Sequence, residues 1–285
     1  MTHRTTLSTL AVLFAMALLG TAAWFWLHRG ATELVAPPSA SASAPPVDSM
    51  AEAASAIQPP ASAPARPSAL FPVQSAASGV PAAGLDFASL LAGVMGSKAV
   101  ETFMQTADFP RRFVATVDNL GRSQAPPSVW PVKPTSGRFL IDDRDGKVVI
   151  NPSNAERYDA LLKMMDAIDL HQAVLLYTQV YPTLQQAYQE IGYPKRYFND
   201  RFVEVIDQLL ATPEPTAPLQ VHLTEVKGPL VSTRPWVRYE FVDAGYEQLS
   251  SGQKILLRMG PEHRRHLKAR LIELRRELTH APGPR

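Results

Sequence analysis

From residue 85 onward, apolar side chains recur mainly with the spacing of three and four residues that is typical of amphipathic helices. Capping residues or prolines stand before these stretches, and we predict helices beginning near Asp86, Ser97, Asp108, Asn151, Asp169, Asn199, Ser250 and Pro261. The last helix has a stripe of leucines at positions 267, 271, 274 and 278. We expect Gly121 to stop the third helix, and Pro182 to kink or break the fifth.

Two pairs of short apolar stretches interrupt the helical pattern and are predicted as β-strands. Residues 138–141 and 147–150 flank turn-forming residues at 142–146. Residues 219–223 and 236–241 form the second antiparallel pair. Together the elements predict an α+β fold, a predominantly helical domain with a small antiparallel sheet.

The N-terminal region contains one long apolar stretch. Residues 7–27 carry no charge, and a helix of about 20 such residues crosses a bilayer about 30 Å thick. We predict one transmembrane helix there, after a short basic leader at residues 1–6 and with aromatic residues at its far end. A cleaved signal peptide, with small residues at 21–23, is the alternative. The first interpretation predicts a single-pass protein of the inner membrane whose C-terminal domain lies in the periplasm.

Between the apolar stretch and the helical region, the composition changes to Ala, Pro and Ser. The whole chain has 26 prolines, and many of them lie in this region. Such a segment buries too little apolar surface to offset the entropy cost of ordering it. We therefore predict a disordered linker at residues 28–84, a folded domain at 85–279 and a short tail at 280–285.

Composition and motifs exclude several classes of function. The chain has no cysteine, which excludes disulfides and cysteine nucleophiles, and its formal charge of +2 is too small to indicate a nucleic-acid partner. His263 and His266 have the spacing of metal ligands, but no third ligand is evident. Residues 251–254 lack the glycine spacing of a phosphate-binding loop. We therefore predict no catalytic residue, cofactor or metal site.

Three separated motifs carry a resemblance to a known family. Residues 112–120 read RFVATVDNL, residues 192–201 contain GYP and YFNDR, and residues 252–260 contain GQK and LRMG. These motifs resemble the domain of unknown function 3014 family. The resemblance implies a bacterial protein with one N-terminal membrane span, a variable tether and one C-terminal domain, and it implies no activity. The connection at residues 227–233, between the second pair of predicted strands, is longer than the family pattern, and we interpret it as a loop insertion.

Charged and amide side chains in these motifs stand beside apolar residues that belong in a core. Because charges so placed are rarely buried unless they are paired, we predict that the motifs meet in one polar cluster, with both aspartates facing the cations. The cluster comprises Arg112, Asp118, Asn199, Asp200, Arg201, Lys254 and Arg258. Within it, we expect Asn199 to cap a helix and Arg201 to pair with a buried carboxylate.

Three functions are compatible with this sequence. The first is a membrane-anchored extracytoplasmic binding or scaffold domain, whose partner is an unidentified envelope protein or polymer. One alternative is an envelope enzyme that uses Asp118, Asp200 or Glu240 as acid or base. The other alternative is a structural subunit of a membrane complex that works through the span.

Overall fold

A computed structural model describes residues 68–73, 84–224 and 238–279 of the chain. The predicted transmembrane helix, most of the predicted linker, the loop insertion and the tail lie outside the described residues. Among the helices that are described, none combines the length and the apolar character needed to cross a membrane.

The described residues form a mostly helical domain. Its α-helices are α1 (Phe87–Met95), α2 (Ser97–Phe103), α3 (Phe109–Leu120), α4 (Asp159–Asp166), α5 (Leu170–Glu190), α6 (Phe198–Leu210), α7 (Ala244–Glu247), α8 (Ser251–Arg258) and α9 (Pro261–Thr279). Short 3₁₀ helices occupy Pro127–Val129 and Pro152–Tyr158. The order and the approximate beginnings of the predicted helices agree with the structure, with two differences. The helix predicted from Asn151 begins as a 3₁₀ helix and is an α-helix only from Asp159, and α7 was not predicted.

Local capping chemistry explains where several helices begin. The Asp86 carboxylate accepts from the backbone N–H groups of Ala88 and Ser89, and Ser250 forms a reciprocal capping box with Gln253. Asp108 differs from the prediction, because it has a left-handed backbone with φ of 53° and its side chain caps nothing. Pro182 also differs, since α5 continues through it without a break.

Two small antiparallel sheets replace the single sheet that the sequence predicts. Strand β1 (Ile141–Arg144) pairs with β2 (Lys147–Ile150), and β3 (Val221–Leu223) pairs with β4 (Tyr239–Phe241). The predicted strand at 138–141 is wrong by three residues. Asp145 and Gly146 both have positive φ and form a two-residue turn, so the strand extends to residue 144.

The main hydrophobic core lies among α3, α5, α6, α8 and α9. Both α5 and α6 pack against α3 and α9, and α8 packs against α3, α6 and α9. The predicted leucine stripe of α9 is buried in this core. The rings of Phe113 on α3 and Phe202 on α6 meet edge to face with centroids 5.9 Å apart. This packing fixes the N-terminus of α6 beside α3 and α5.

Candidate functional site

A short piece of the predicted linker lies on the folded domain. Residues 68–73, the docked segment, meet the beginning of α6. The backbone N–H groups of Leu70 and Phe71 donate to the two carboxylate oxygens of Asp200, over 3.0 and 2.9 Å. The carbonyl oxygen of Phe71 accepts a hydrogen bond of 2.9 Å from the amide nitrogen of Asn199. Adjacent residues of α6 therefore hold three backbone groups of the segment.

A bend in the docked segment makes this arrangement possible. Successive N–H groups point to opposite sides of an extended chain, but the backbone bends at Leu70 and Phe71. The bend directs both N–H groups to the same carboxylate, as in backbone anion-binding nests. Hydrogen bonds to an ionised acceptor are stronger than neutral ones, so Asp200 is well suited to hold the segment.

Asn199 is oriented from inside the core. Its side chain is fully buried, and its amide oxygen accepts a hydrogen bond of 2.9 Å from the hydroxyl of Tyr177 on α5. Burial raises the pKa of Tyr177 well above its ordinary value, so the hydroxyl stays protonated and remains a donor. The amide nitrogen of Asn199 is thereby directed at the Phe71 carbonyl. We call Tyr177, Asn199 and Asp200 the docking site.

The predicted role of Asn199 as a helix cap is wrong. Tyr197 occupies the N-cap position of α6, and Asn199 already lies within the first turn of the helix. Its amide is turned towards Tyr177 and Phe71 and is not available to the first N–H groups of α6. Asp200 does lie in the first turn of α6, as predicted, where its negative charge interacts favourably with the helix dipole.

The side chains of the docked segment differ in their contacts. Phe71 and Val73 are half-buried and pack against the main core. Leu70 is 78 % exposed, and Pro72 is exposed as well. Two apolar anchors therefore alternate with side chains that face away from the domain.

A second polar group lies between α3 and α6. Asp118 is 5 % exposed, and its carboxylate accepts from Nε of Arg201 at 2.9 Å, Nη2 of Arg122 at 2.6 Å and the hydroxyl of Tyr193 at 3.2 Å. The predicted pairing of Arg201 with a buried carboxylate is confirmed. Arg201 also donates to the backbone carbonyl of Asp118 and to Glu204, and these hydrogen bonds and charges raise its pKa despite partial burial.

Gly121 ends α3 as predicted, but for a different physical reason. Its φ is −77°, an ordinary helical value, so the left-handed conformation does not explain the glycine. A Cβ atom at this position would lie 2.7 Å from Nη2 of Arg201 and 3.1 Å from a methyl carbon of Val205. Glycine is required because the Arg201 and Val205 side chains of α6 approach the backbone of Gly121 so closely.

The remaining cluster residues lie elsewhere, so the predicted single cluster does not form. Arg112 donates to the carbonyl of Ser128 at 2.7 Å and holds the loop after α3. Lys254 pairs with Glu247 at 2.8 Å. Arg258 donates to the carbonyl of Tyr239, and burial lowers its pKa. Asp200 binds backbone N–H groups of the docked segment instead of the cations that the sequence predicts.

The two histidines with metal-ligand spacing contact separate carboxylates. His263 lies 2.8 Å from Asp159, and His266 lies 2.7 Å from Asp166. Within the described ranges, no group of three or more histidine or acidic side chains could hold a metal ion. These contacts connect α9 to α4.

Sequence reasoning missed the docked segment and the role of Tyr177. One signal was available, because Phe71 is the only aromatic residue between residues 31 and 84. A large aromatic side chain in an Ala/Pro/Ser-rich stretch indicates local contact with a folded surface. Tyr177 gave no signal, since a tyrosine on the apolar face of a helix is usually part of a core.

The fold and the docking site define a mostly helical domain that holds a short segment of chain by its backbone. The protein belongs to the family described as "Protein of unknown function (DUF3014)", which matches residues 109–275. The match includes Tyr177, Asn199 and Asp200 but begins after the docked segment. No curated protein and no solved structure matches the chain.

Proposed function

We propose that this protein is a membrane-anchored extracytoplasmic binding domain, and that it recognises a short peptide segment at the docking site. The single observation that supports this function is the set of three hydrogen bonds from Asn199 and Asp200 to the backbone of residues 70 and 71. The membrane span at residues 7–27 and the linker belong to the same proposal, with the folded domain in the periplasm.

The chemistry of the docking site favours recognition over an accidental contact. Asn199 is buried and its amide is fixed by Tyr177, so its donor is in place before any peptide arrives. A side chain held in its binding geometry loses little entropy on association. On binding, a peptide carbonyl gives up a hydrogen bond to water and gains one from this donor. Two peptide N–H groups likewise exchange water for the carboxylate of Asp200.

The alternatives receive less support from the same residues. An enzyme needs an acid or base directed at a shared reacting atom. Asp118 is engaged by Arg122, Arg201 and Tyr193, and Asp200 is engaged by two N–H groups. Because the two carboxylates contact different partners, nothing indicates that they are directed at one reacting atom. A structural role through the membrane span concerns residues outside those described.

The test is binding of a free peptide to a chain whose own segment is weakened. The Phe71→Ala/Val73→Ala chain loses both apolar anchors of the docked segment while the docking site stays intact. We expect a fluorescent peptide of residues 66–75 to bind this chain with a saturable rise in anisotropy. Adding Asp200→Ala should remove most of that binding, because two charge-assisted hydrogen bonds are lost. Thermal melting of both chains provides the folding control, and folded chains that bind no peptide would contradict the proposed function.

A further inference from the structure

The docked segment itself specifies what the docking site can bind. We infer that the site takes peptide segments in which a non-proline residue is followed by an aromatic residue, proline and an aliphatic residue, and that residues 70–73 occupy it as an internal competitor. This inference rests on the proposed function and adds to it a ligand class and a form of regulation. The intended occupant in trans is such a segment of a partner protein.

The first two positions are defined by the backbone. Asp200 accepts from the N–H groups of both Leu70 and Phe71, and proline has no N–H group to donate. Proline is therefore excluded at both positions. The side chain at the first position contributes nothing further to selection, because Leu70 is 78 % exposed.

The second and fourth positions are defined by apolar contacts. Phe71 and Val73 pack against the main core, whereas the intervening Pro72 is exposed. An aromatic residue at the second position buries a large apolar area and an aliphatic residue at the fourth adds to it.

Proline fits the third position because nothing is lost there. Its missing N–H group is not needed, since the hydrogen bonds go to the N–H groups of residues 70 and 71 and to the carbonyl of residue 71. Proline also restricts its own backbone and that of the preceding residue. A peptide with fewer conformations loses less entropy on binding, so proline favours the bound form.

The internal segment competes because it is covalently close. Only residues 74–83 separate it from the beginning of the folded domain, and a ligand on so short a connection meets its site at an effective concentration on the order of millimolar. A partner segment of the same class, present at micromolar concentration, meets a site that is already filled. Release of the docked segment would then control access to the domain.

The experiment compares three full-length chains with three peptides. The chains are wild type, Phe71→Ala/Val73→Ala, and Leu70→Pro, which removes one N–H group from the internal segment without removing any side chain that packs on the core. The peptides cover residues 66–75 as wild type, with Leu70→Ala, and with Leu70→Pro. Anisotropy titrations give each dissociation constant, and thermal melting shows that each chain is folded.

We expect both altered chains to bind the wild-type peptide at least about tenfold more tightly than the wild-type chain does. The Leu70→Ala peptide should bind within about twofold of wild type, and the Leu70→Pro peptide at least about tenfold more weakly. The wild-type chain should give a hyperbolic curve, because its competitor is present at a constant effective concentration.

Each contrary result has a separate meaning. Equal binding by all three folded chains would overturn the internal competition and leave the proposed function intact. Equal binding of the Leu70→Ala and Leu70→Pro peptides would overturn the ligand class. A wild-type curve that rises less steeply than a hyperbola as chain concentration increases would show that a second copy supplies the competing segment, and would also overturn the internal assignment. Folded altered chains that bind no peptide would contradict the proposed function itself.

Discussion

Asp118 and Asp200 lie on α3 and α6, and their carboxylates are satisfied by different kinds of donor. Asp118 accepts from the guanidinium groups of Arg122 and Arg201, whereas Asp200 accepts from two backbone N–H groups of the docked segment. The first arrangement connects two helices of the core. The second connects the core to the docked segment. Substituting the two aspartates should therefore have different consequences.

Asp118→Ala should destabilise the folded domain by about 3 kcal/mol, because it removes the buried one of the two carboxylates that pair with the partly buried Arg201 guanidinium. Arg122→Ala is the matched control, since it removes the other cation of the same carboxylate. The side chain of Arg122 is half exposed, and we expect its loss to cost about 1 kcal/mol or less. Urea unfolding of the two variants measures the difference. Equal losses of stability in the two variants would show that Asp118 acts only through Arg122, next to α3, and not through Arg201 on α6.

The site residues show how far sequence reasoning reaches at this scale. The pairing of Arg201 was predictable, because a cation beside core aromatics needs a buried acid. The role of Asn199 was not predictable, since Asn near a helix start usually serves as a cap, and only the packing of α5 on α6 brings Tyr177 to it. Which acid meets which cation depends on tertiary distances that sequence spacing does not contain.

At the scale of the elements, α8 approaches its neighbours closely at a glycine. It begins at the capping box of Ser250 and lies against α3, α6 and α9. A Cβ atom on Gly252 would lie 2.5 Å from a methyl carbon of Leu209 and 3.0 Å from the carbonyl oxygen of Leu120. The glycine therefore permits a close approach of three helices, in the motif that carried one part of the family resemblance.

Gly252→Ala should destabilise the domain by about 1–3 kcal/mol, because the added methyl group overpacks the contact with α6 and α3. Gly93→Ala provides the control within another helix. A Cβ atom on Gly93 would meet nothing within 4 Å, so alanine there should stabilise α1 by about 0.5–1 kcal/mol through helix propensity. Thermal melting of both variants should give shifts of opposite sign. A stabilising Gly252→Ala would show that the three helices can separate at no cost.

The elements themselves were the most predictable feature. Helix beginnings follow from local capping chemistry, which is why Asp86 and Ser250 were assigned correctly from sequence. The error in β1 arose because Asp142 to Arg144 resemble turn residues, although the turn is formed by Asp145 and Gly146 alone. The helix α5 packs against α3 and α9 and continues through Pro182, so tertiary packing can override the local effect of a proline.

At the scale of the whole molecule, part of the predicted linker contacts the folded domain. The family match begins at residue 109 and the predicted domain begins at residue 85, yet residues 68–73 contact the docking site. Composition averages over many residues, and a segment of six residues inside an Ala/Pro/Ser-rich stretch is lost in that average. Hydrogen bonds to two side chains of α6 hold this segment on the domain.

Two fragments, beginning at residues 68 and 84 and both ending at residue 279, should therefore respond differently to Asp200→Ala. In the longer fragment the substitution removes two hydrogen bonds to the docked segment and should cost about 2 kcal/mol, or about 4–8 °C in melting temperature. In the shorter fragment those donors are absent, and only the effect of Asp200 on the α6 dipole is lost, about 0.5 kcal/mol. Melting all four proteins forms a double-mutant cycle whose coupling belongs to the docked segment. Equal losses in the two fragments would show that Asp200 stabilises α6 by itself and that the segment adds nothing to the fold.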